Sequence, residues 1–96
     1  MNGHQKIAAR NIKGAFNYQI GGLYNSYLDG EEINFTIEEA KEMVYDCAIN
    51  DTYFDGGVIY NQPITAMRFA GKQFCLDYID KLFAKDEDVA EIPWEE

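Results

Sequence analysis

Apolar residues recur at helical spacing in three long stretches of this chain, and this periodicity favours a fold of packed helices. In the first stretch, one arc of the helical wheel carries Ala8, Ile12, Ala15, Phe16, Ile20, Leu23 and Tyr27. The pattern predicts a first helix over residues 5–28, which Gly21-Gly22 could kink or split in two. Asp29-Gly30 supplies the stop signal for this helix.

The second helix has the clearest start signal in the sequence. Thr36 and Glu39 have the spacing of a capping box, and Phe35 stands where a hydrophobic staple would. Acidic residues in the first turn also suit the positive end of the helix dipole. We therefore expect a helix over about 37–50. The preceding residues 31–35 alternate weakly and could form a short strand.

A third helix is predicted from Gln62-Pro63 to about Lys85, with apolar residues over more than half of its circumference. Before it, Asp55-Gly56 lies between two β-prone runs, which is a hairpin signal. The expected fold is mainly α, with three helices and a small β-hairpin between helices 2 and 3. A small α+β fold results if residues 31–35 join the hairpin as a third strand.

The length of 96 residues predicts one compact domain, over 1–85. Residues 86–96 carry six acids and no base, and we expect an acidic, flexible tail. Trp94 near its end could dock back on the domain. Because no signal segment and no long apolar run is present, we expect a cytoplasmic protein that contacts no membrane.

Charge is sorted along the chain, and this sorting gives the main clue to function. Residues 1–28 carry Lys6, Arg10 and Lys13 and no acid, whereas residues 29–55 carry nine acids and one base. The net charge is −9. Such a balance disfavours direct binding to nucleic acid and points to a partner with a basic surface. The basic stripe could pair with the second helix or with the acidic face of another copy.

On the second helix, acids recur every four residues and so form a row. Two apolar residues, Tyr45 and Ile49, fall beside this row and could anchor a partner, or the hairpin or the tail could cover them. The row itself could bind a partner or be an ordinary solvated face. The predicted partner-binding residues are Glu38, Glu39, Glu42, Tyr45, Asp46, Ile49, Glu31 and Glu32.

No metal, cofactor or catalytic motif is found in the sequence. His4 is the only histidine, and Cys47 and Cys75 fall on apolar helix faces, which leaves too few ligands for a zinc site. Residues 51–62 lack the ligand pattern of a calcium loop. The glycine pairs lack the lysine of a phosphate-binding loop. We therefore expect a protein that is not an enzyme.

These features favour a non-enzymatic acidic protein that occupies a basic site on a partner. Its most specific form is a DNA mimic that inhibits a nucleic-acid-binding enzyme such as a nuclease. In size and charge the chain resembles small acidic inhibitors of phages and mobile elements, such as anti-restriction and anti-CRISPR proteins. The alternative is an assembly subunit that self-associates, or forms a hetero-complex, through an apolar face of the third helix with Phe69, Leu76 and Phe83.

Overall fold

The computed structural model describes residues 1–53 and 62–96, and in this part of the chain five helices pack around one core. Their bounds are α1 Gly3–Leu28, α2 Ile37–Asn50, α3 Gln62–Ala70, α4 Lys72–Lys85 and α5 Glu87–Glu91. The long helix α1 packs against all four of the others. Its buried face is built from small and branched side chains, so neighbouring helices approach it closely.

The helices α1 and α2 lie where periodicity predicts them. Gly21-Gly22 does not interrupt α1, which is one continuous helix. At the start of α2, the Glu39 amide donates to the Thr36 hydroxyl at 3.1 Å, and the Thr36 amide donates to the Glu39 carboxylate at 3.0 Å. The capping box read from the sequence is therefore confirmed.

The predicted fold class is wrong, because the described residues form five helices and no strand. Most of the expected hairpin, with its Asp55-Gly56 turn, lies in 54–61, outside the described residues. Residues 31–35 are not a strand, since Ile33 is buried in the helical core instead of pairing with a neighbouring strand. The expected third helix is two helices, separated at Gly71.

Gly71 separates α3 from α4 through its backbone conformation. Its φ of 91° and ψ of 151° belong to a region that essentially only glycine occupies. The chain therefore changes direction there, and the helical wheel of α3 does not continue into α4. A single glycine within a helical pattern is normally tolerated, which is why the pattern alone predicts one long helix.

The C-terminal segment 86–96 packs on the helices. The Asp86 carboxylate accepts the Val89 amide at 2.9 Å and so caps α5. Val89 and Ile92 are buried, and the Trp94 indole donates to the Val89 carbonyl at 2.8 Å. That this tail is flexible stays a prediction. The contacts of Val89, Ile92 and Trp94 hold it against the helices in the structure.

A buried asparagine joins three elements of the fold. The Asn11 side chain on α1 donates to the carbonyls of Ala48 at 2.7 Å and Asp51 at 3.1 Å. Its oxygen accepts the Tyr53 amide at 2.6 Å. Because buried polar groups are costly when they lack partners, these bonds fix the end of α2 and residues 51–53 against α1.

Candidate acidic interaction surface

The acidic row on α2 consists of Glu38, Glu42 and Asp46, and all three side chains are exposed. Four residues of helix rise about 6 Å, so the row presents carboxylates at that pitch. Lys41 lies 3.5 Å from Glu38 and 3.3 Å from Asp80 of α4. Exposed ion pairs of this kind contribute little to stability. Among the described residues, no ion pair involves Glu42 or Asp46, although Lys72 lines the same recess as both.

Glu39 differs from the acidic row in its local role. Its carboxylate accepts the Thr36 amide in the capping box, so it is exposed but engaged. Of the acids predicted from the helical wheel, Glu39 is therefore the one whose replacement would also weaken the start of α2.

The two apolar residues beside the acidic row are half-buried. Tyr45 and Ile49 pack against the core cluster. The ammonium of Lys72 on α4 lies 5.4 Å from the centre of the Tyr45 ring. Burial raises the pKa of the Tyr45 phenol, with smaller contributions from Cys75 and Asp46. Helix α4 thus covers part of Tyr45, a role that the sequence interpretation had given to the hairpin or the tail.

A second group of acids meets at the end of the molecule where α1 terminates. The Glu95 amide donates to the Phe35 carbonyl at 2.8 Å, and the Tyr24 hydroxyl donates to the Glu91 carboxylate at 2.6 Å. These bonds bring the loop after α1 together with the C-terminal segment. We call the exposed carboxylates of these two segments the acidic end: Asp29, Glu31, Glu32, Glu87, Asp88, Glu91, Glu95 and Glu96.

Two groups at the acidic end have raised pKa values. Desolvation raises the pKa of the Asp88 carboxyl, and the neighbouring carboxylates of Asp86, Glu91 and Glu87 raise it further. The hydrogen bond to Glu91, with desolvation and the charge of that carboxylate, raises the pKa of Tyr24 to about 12. The part of the Asp88 shift that comes from neighbouring carboxylates is the part that a nearby positive charge would relieve.

The structure thus unites segments that the sequence leaves apart. Glu31 and Glu32, two predicted binding residues, lie at the acidic end with acids of the C-terminal segment, for which no partner role was predicted. Sequence reasoning missed Asp88, Glu91 and Glu95 as site residues. The only available signal was the acidic composition of residues 86–96, which says nothing about where that segment packs.

The three residues of the predicted oligomer face are not brought together. Phe83 is buried and its ring packs edge-on against that of Phe16, with centroids 5.2 Å apart. Phe69 is 70% exposed and its ring stacks on His4, with centroids 4.8 Å apart. Leu76 is half-buried beside Tyr45. The backbone turn at Gly71 breaks the seven-residue spacing that linked Phe69 to Leu76.

Chemistry at the other polar groups is limited. Among the described residues, no group of three or more His, Cys, Asp or Glu side chains is placed to hold a metal ion. Cys75 is buried, which raises the pKa of its thiol. Cys47 is half-buried, and its sulfur accepts a hydrogen bond from the side-chain amide of Gln19 at 2.7 Å.

In the described part of the chain, no helix has the length and apolar character needed to cross a membrane.

Comparison of the chain with protein-family models, with curated proteins and with solved structures finds no match in any of the three. The function proposed below therefore depends on the charges and contacts of this chain alone.

Proposed function

We propose that this chain is a non-enzymatic binding protein that uses its acidic surface to occupy a basic site on a partner protein. The observation that carries the proposal is the convergence of two acidic segments at one end of the fold, held by the Glu95–Phe35 and Tyr24–Glu91 hydrogen bonds. The acidic row on α2 adds three further exposed carboxylates.

The physical basis is electrostatic complementarity. Carboxylates whose neighbours are also acidic gain most from a cationic partner, because the partner replaces repulsion with attraction. Asp88, with its raised pKa, is such a group. Attraction of this kind speeds association by about 10–1,000-fold and weakens as salt increases. Affinity itself would come from side chains that are desolvated in the interface.

The most specific form of the proposal is mimicry of a nucleic-acid backbone. In this form Glu38, Glu42 and Asp46 stand in for phosphates, and the acidic end extends the row. The partner would be a nucleic-acid-binding enzyme such as a nuclease, which the chain would inhibit by occupying the groove. Support for this form comes from the acidic row and its pitch of about 6 Å.

The test is an affinity capture from a bacterial lysate, washed at low and at high salt and competed with duplex DNA. We expect capture of a basic nucleic-acid-binding protein that salt or DNA releases. Two double variants have the same change in net charge, Glu42→Lys with Asp46→Lys on α2 and Glu31→Lys with Glu32→Lys at the acidic end. Each serves as the control for the other.

Comparing the two double variants distinguishes binding at a defined site from a general effect of net charge. A specific contact predicts that one double variant reduces capture more than the other, at equal net charge and with unchanged helical circular dichroism. If capture depends only on net charge, both variants weaken it equally. The proposal is wrong if both double variants retain the partner at wild-type yield, or if DNA fails to compete.

A further inference from the structure

Helices α1 and α4 enclose a groove whose charge is opposite to that of the acidic end. The part nearest the N-terminus has a volume of about 500 Å³ and is lined by Met1, Ile7 and Tyr78, together with basic residues of α1. Two smaller recesses continue it along α4. The basic residues that line these three recesses are Lys6, Arg10, Lys13, Lys81 and Lys85.

The acids of this groove are few. Asp77 and Asp86 are the acids among its described lining residues, so its local charge is positive in a protein of net charge −9. Lys41 of α2 pairs with Glu38 and Asp80, and in the described part of the chain no ion pair joins Lys6 or Lys13 to α2. Internal pairing between α1 and α2, one of the two sequence interpretations, therefore does not account for these two lysines.

The wide part of the groove and the loop after α1 lie at opposite ends of α1, and the recess that reaches Asp86 adjoins the start of the acidic C-terminal segment. Helix α1 has 26 residues, which at about 1.5 Å per residue matches the longest dimension of 39 Å. Its basic residues lie within the first half, and the acids Asp29, Glu31 and Glu32 follow its last turn. Leu28, which is 62% exposed, projects there among the acids, and Met1, which is 68% exposed, lines the groove.

We propose that the acidic end of one copy docks into the α1–α4 groove of a second copy, so that the protein associates head to tail. The two surfaces are complementary in charge, and each adds an exposed apolar side chain to the contact. Because they are different surfaces of one copy, the contact is heterologous and can repeat. This association does not depend on the proposed function, although both use the acidic end.

Net charge opposes this association, and ionic strength decides the outcome. At about 0.15 M salt the Debye length is about 8 Å, so whole-molecule repulsion is screened while contacts within the groove persist. At about 0.01 M it is about 30 Å, and the net charges of two copies repel. At about 1 M it is about 3 Å, and the groove contacts are screened as well. Association should therefore be strongest at intermediate salt.

The experiment is sedimentation velocity of the full chain from about 10 µM to about 1 mM, the range for weak contacts, at these three salt concentrations. We expect a concentration-dependent series of species at about 0.15 M and mostly monomer at the two extremes. Lys6→Glu with Lys13→Glu reverses the groove. Arg68→Glu with Lys72→Glu causes the same change in net charge outside it and is the matched control.

The groove variant should sediment as a monomer at about 0.15 M salt, whereas the matched control, which has the same net charge and an intact groove, should still associate. The acidic-end variant, Glu31→Lys with Glu32→Lys, should also be monomeric alone. Mixed in equal amounts, the groove and acidic-end variants should associate again, because one supplies an intact acidic end and the other an intact groove.

Three results would overturn the proposal. One is a wild-type protein that stays monomeric at all salt concentrations. Another is a groove variant that associates like the matched control. The last is a mixture of the two variants that shows no association beyond that of each alone. Circular dichroism of each variant confirms that the fold is retained, so a loss of association cannot come from unfolding.

Discussion

Two glycines of the same helix should respond to alanine with opposite changes in stability. A Cβ atom added at Gly14 would lie 2.5 Å from the Tyr53 Cβ atom and 2.8 Å from the Tyr53 carbonyl oxygen. A Cβ atom added at Gly22 meets no heavy atom within 4 Å. Both residues lie within α1, so alanine gives each position the same gain in helix propensity, about 1 kcal/mol.

The magnitude at Gly14 follows from what must move. Overpacking costs about 1–3 kcal/mol. Displacing Tyr53 also removes its amide from the buried oxygen of Asn11, a bond of 2.6 Å, and an unsatisfied buried acceptor costs about 1–3 kcal/mol. After subtracting the helix gain, we expect Gly14→Ala to lower the free energy of unfolding by about 3 kcal/mol. Gly22→Ala should raise it by about 1 kcal/mol.

The assay is urea unfolding followed by circular dichroism, with thermal unfolding as a second measurement. A change of 1 kcal/mol shifts the melting temperature of a domain of this size by about 4–8 °C, so the two variants should differ widely. If Gly14→Ala stabilises the protein as Gly22→Ala does, residues 51–53 do not pack on α1 as described. Equal destabilisation by both would instead show that α1 is not a continuous helix at Gly22.

Three further changes test other parts of the fold. Gly71→Ala forces a side chain into a backbone conformation that essentially only glycine adopts, and should cost about 1–3 kcal/mol in chemical unfolding. The raised pKa of Asp88 means that its ionised form is less favourable in the folded than in the unfolded protein. Asp88→Asn should therefore raise the melting temperature at about pH 7, and this gain should vanish below about pH 3, where the carboxyl is protonated in both states. Trp94→Phe removes the donor to the Val89 carbonyl and should lower stability by about 0.5–1.5 kcal/mol, with faster proteolysis after residue 86.

The parts of the fold that the sequence predicts are those decided locally. The start of α2 follows from Thr36 and Glu39, three residues apart, and the capping box forms as expected. The course of α1 follows from its apolar spacing. The sequence pattern does not predict the break between α3 and α4, because a single glycine such as Gly71 is common within helical patterns. By the same pattern, the glycine pair Gly21-Gly22 is more expected to interrupt a helix, yet α1 is continuous there. Packing decides between them, and packing is not visible in local sequence.

The site was predictable to a similar extent and for the same reason. The acidic row on α2 follows from four-residue spacing, and its three members are exposed together. Tyr45 lies beside that row, as the helical wheel implies, but α4 packs against it, which the wheel of a single helix cannot show. The acidic end depends on contacts between residues about 60 positions apart in sequence, such as Phe35 with Glu95. No local pattern links such residues.

The acidic end also shows how stability and binding are coupled in this chain. Apolar contacts of Val89 and Ile92, and the hydrogen bond from Tyr24 to Glu91, hold the C-terminal segment beside the loop after α1. Desolvation of Asp88 and its repulsion by neighbouring carboxylates raise the pKa of that carboxyl, and both oppose this arrangement when the carboxyl is ionised. A cationic surface, on another protein or in the α1–α4 groove of a second copy, would remove that repulsion. Packing therefore maintains a charge distribution that is unfavourable in isolation, and the repulsion it leaves uncompensated is free energy that a basic partner can recover on binding.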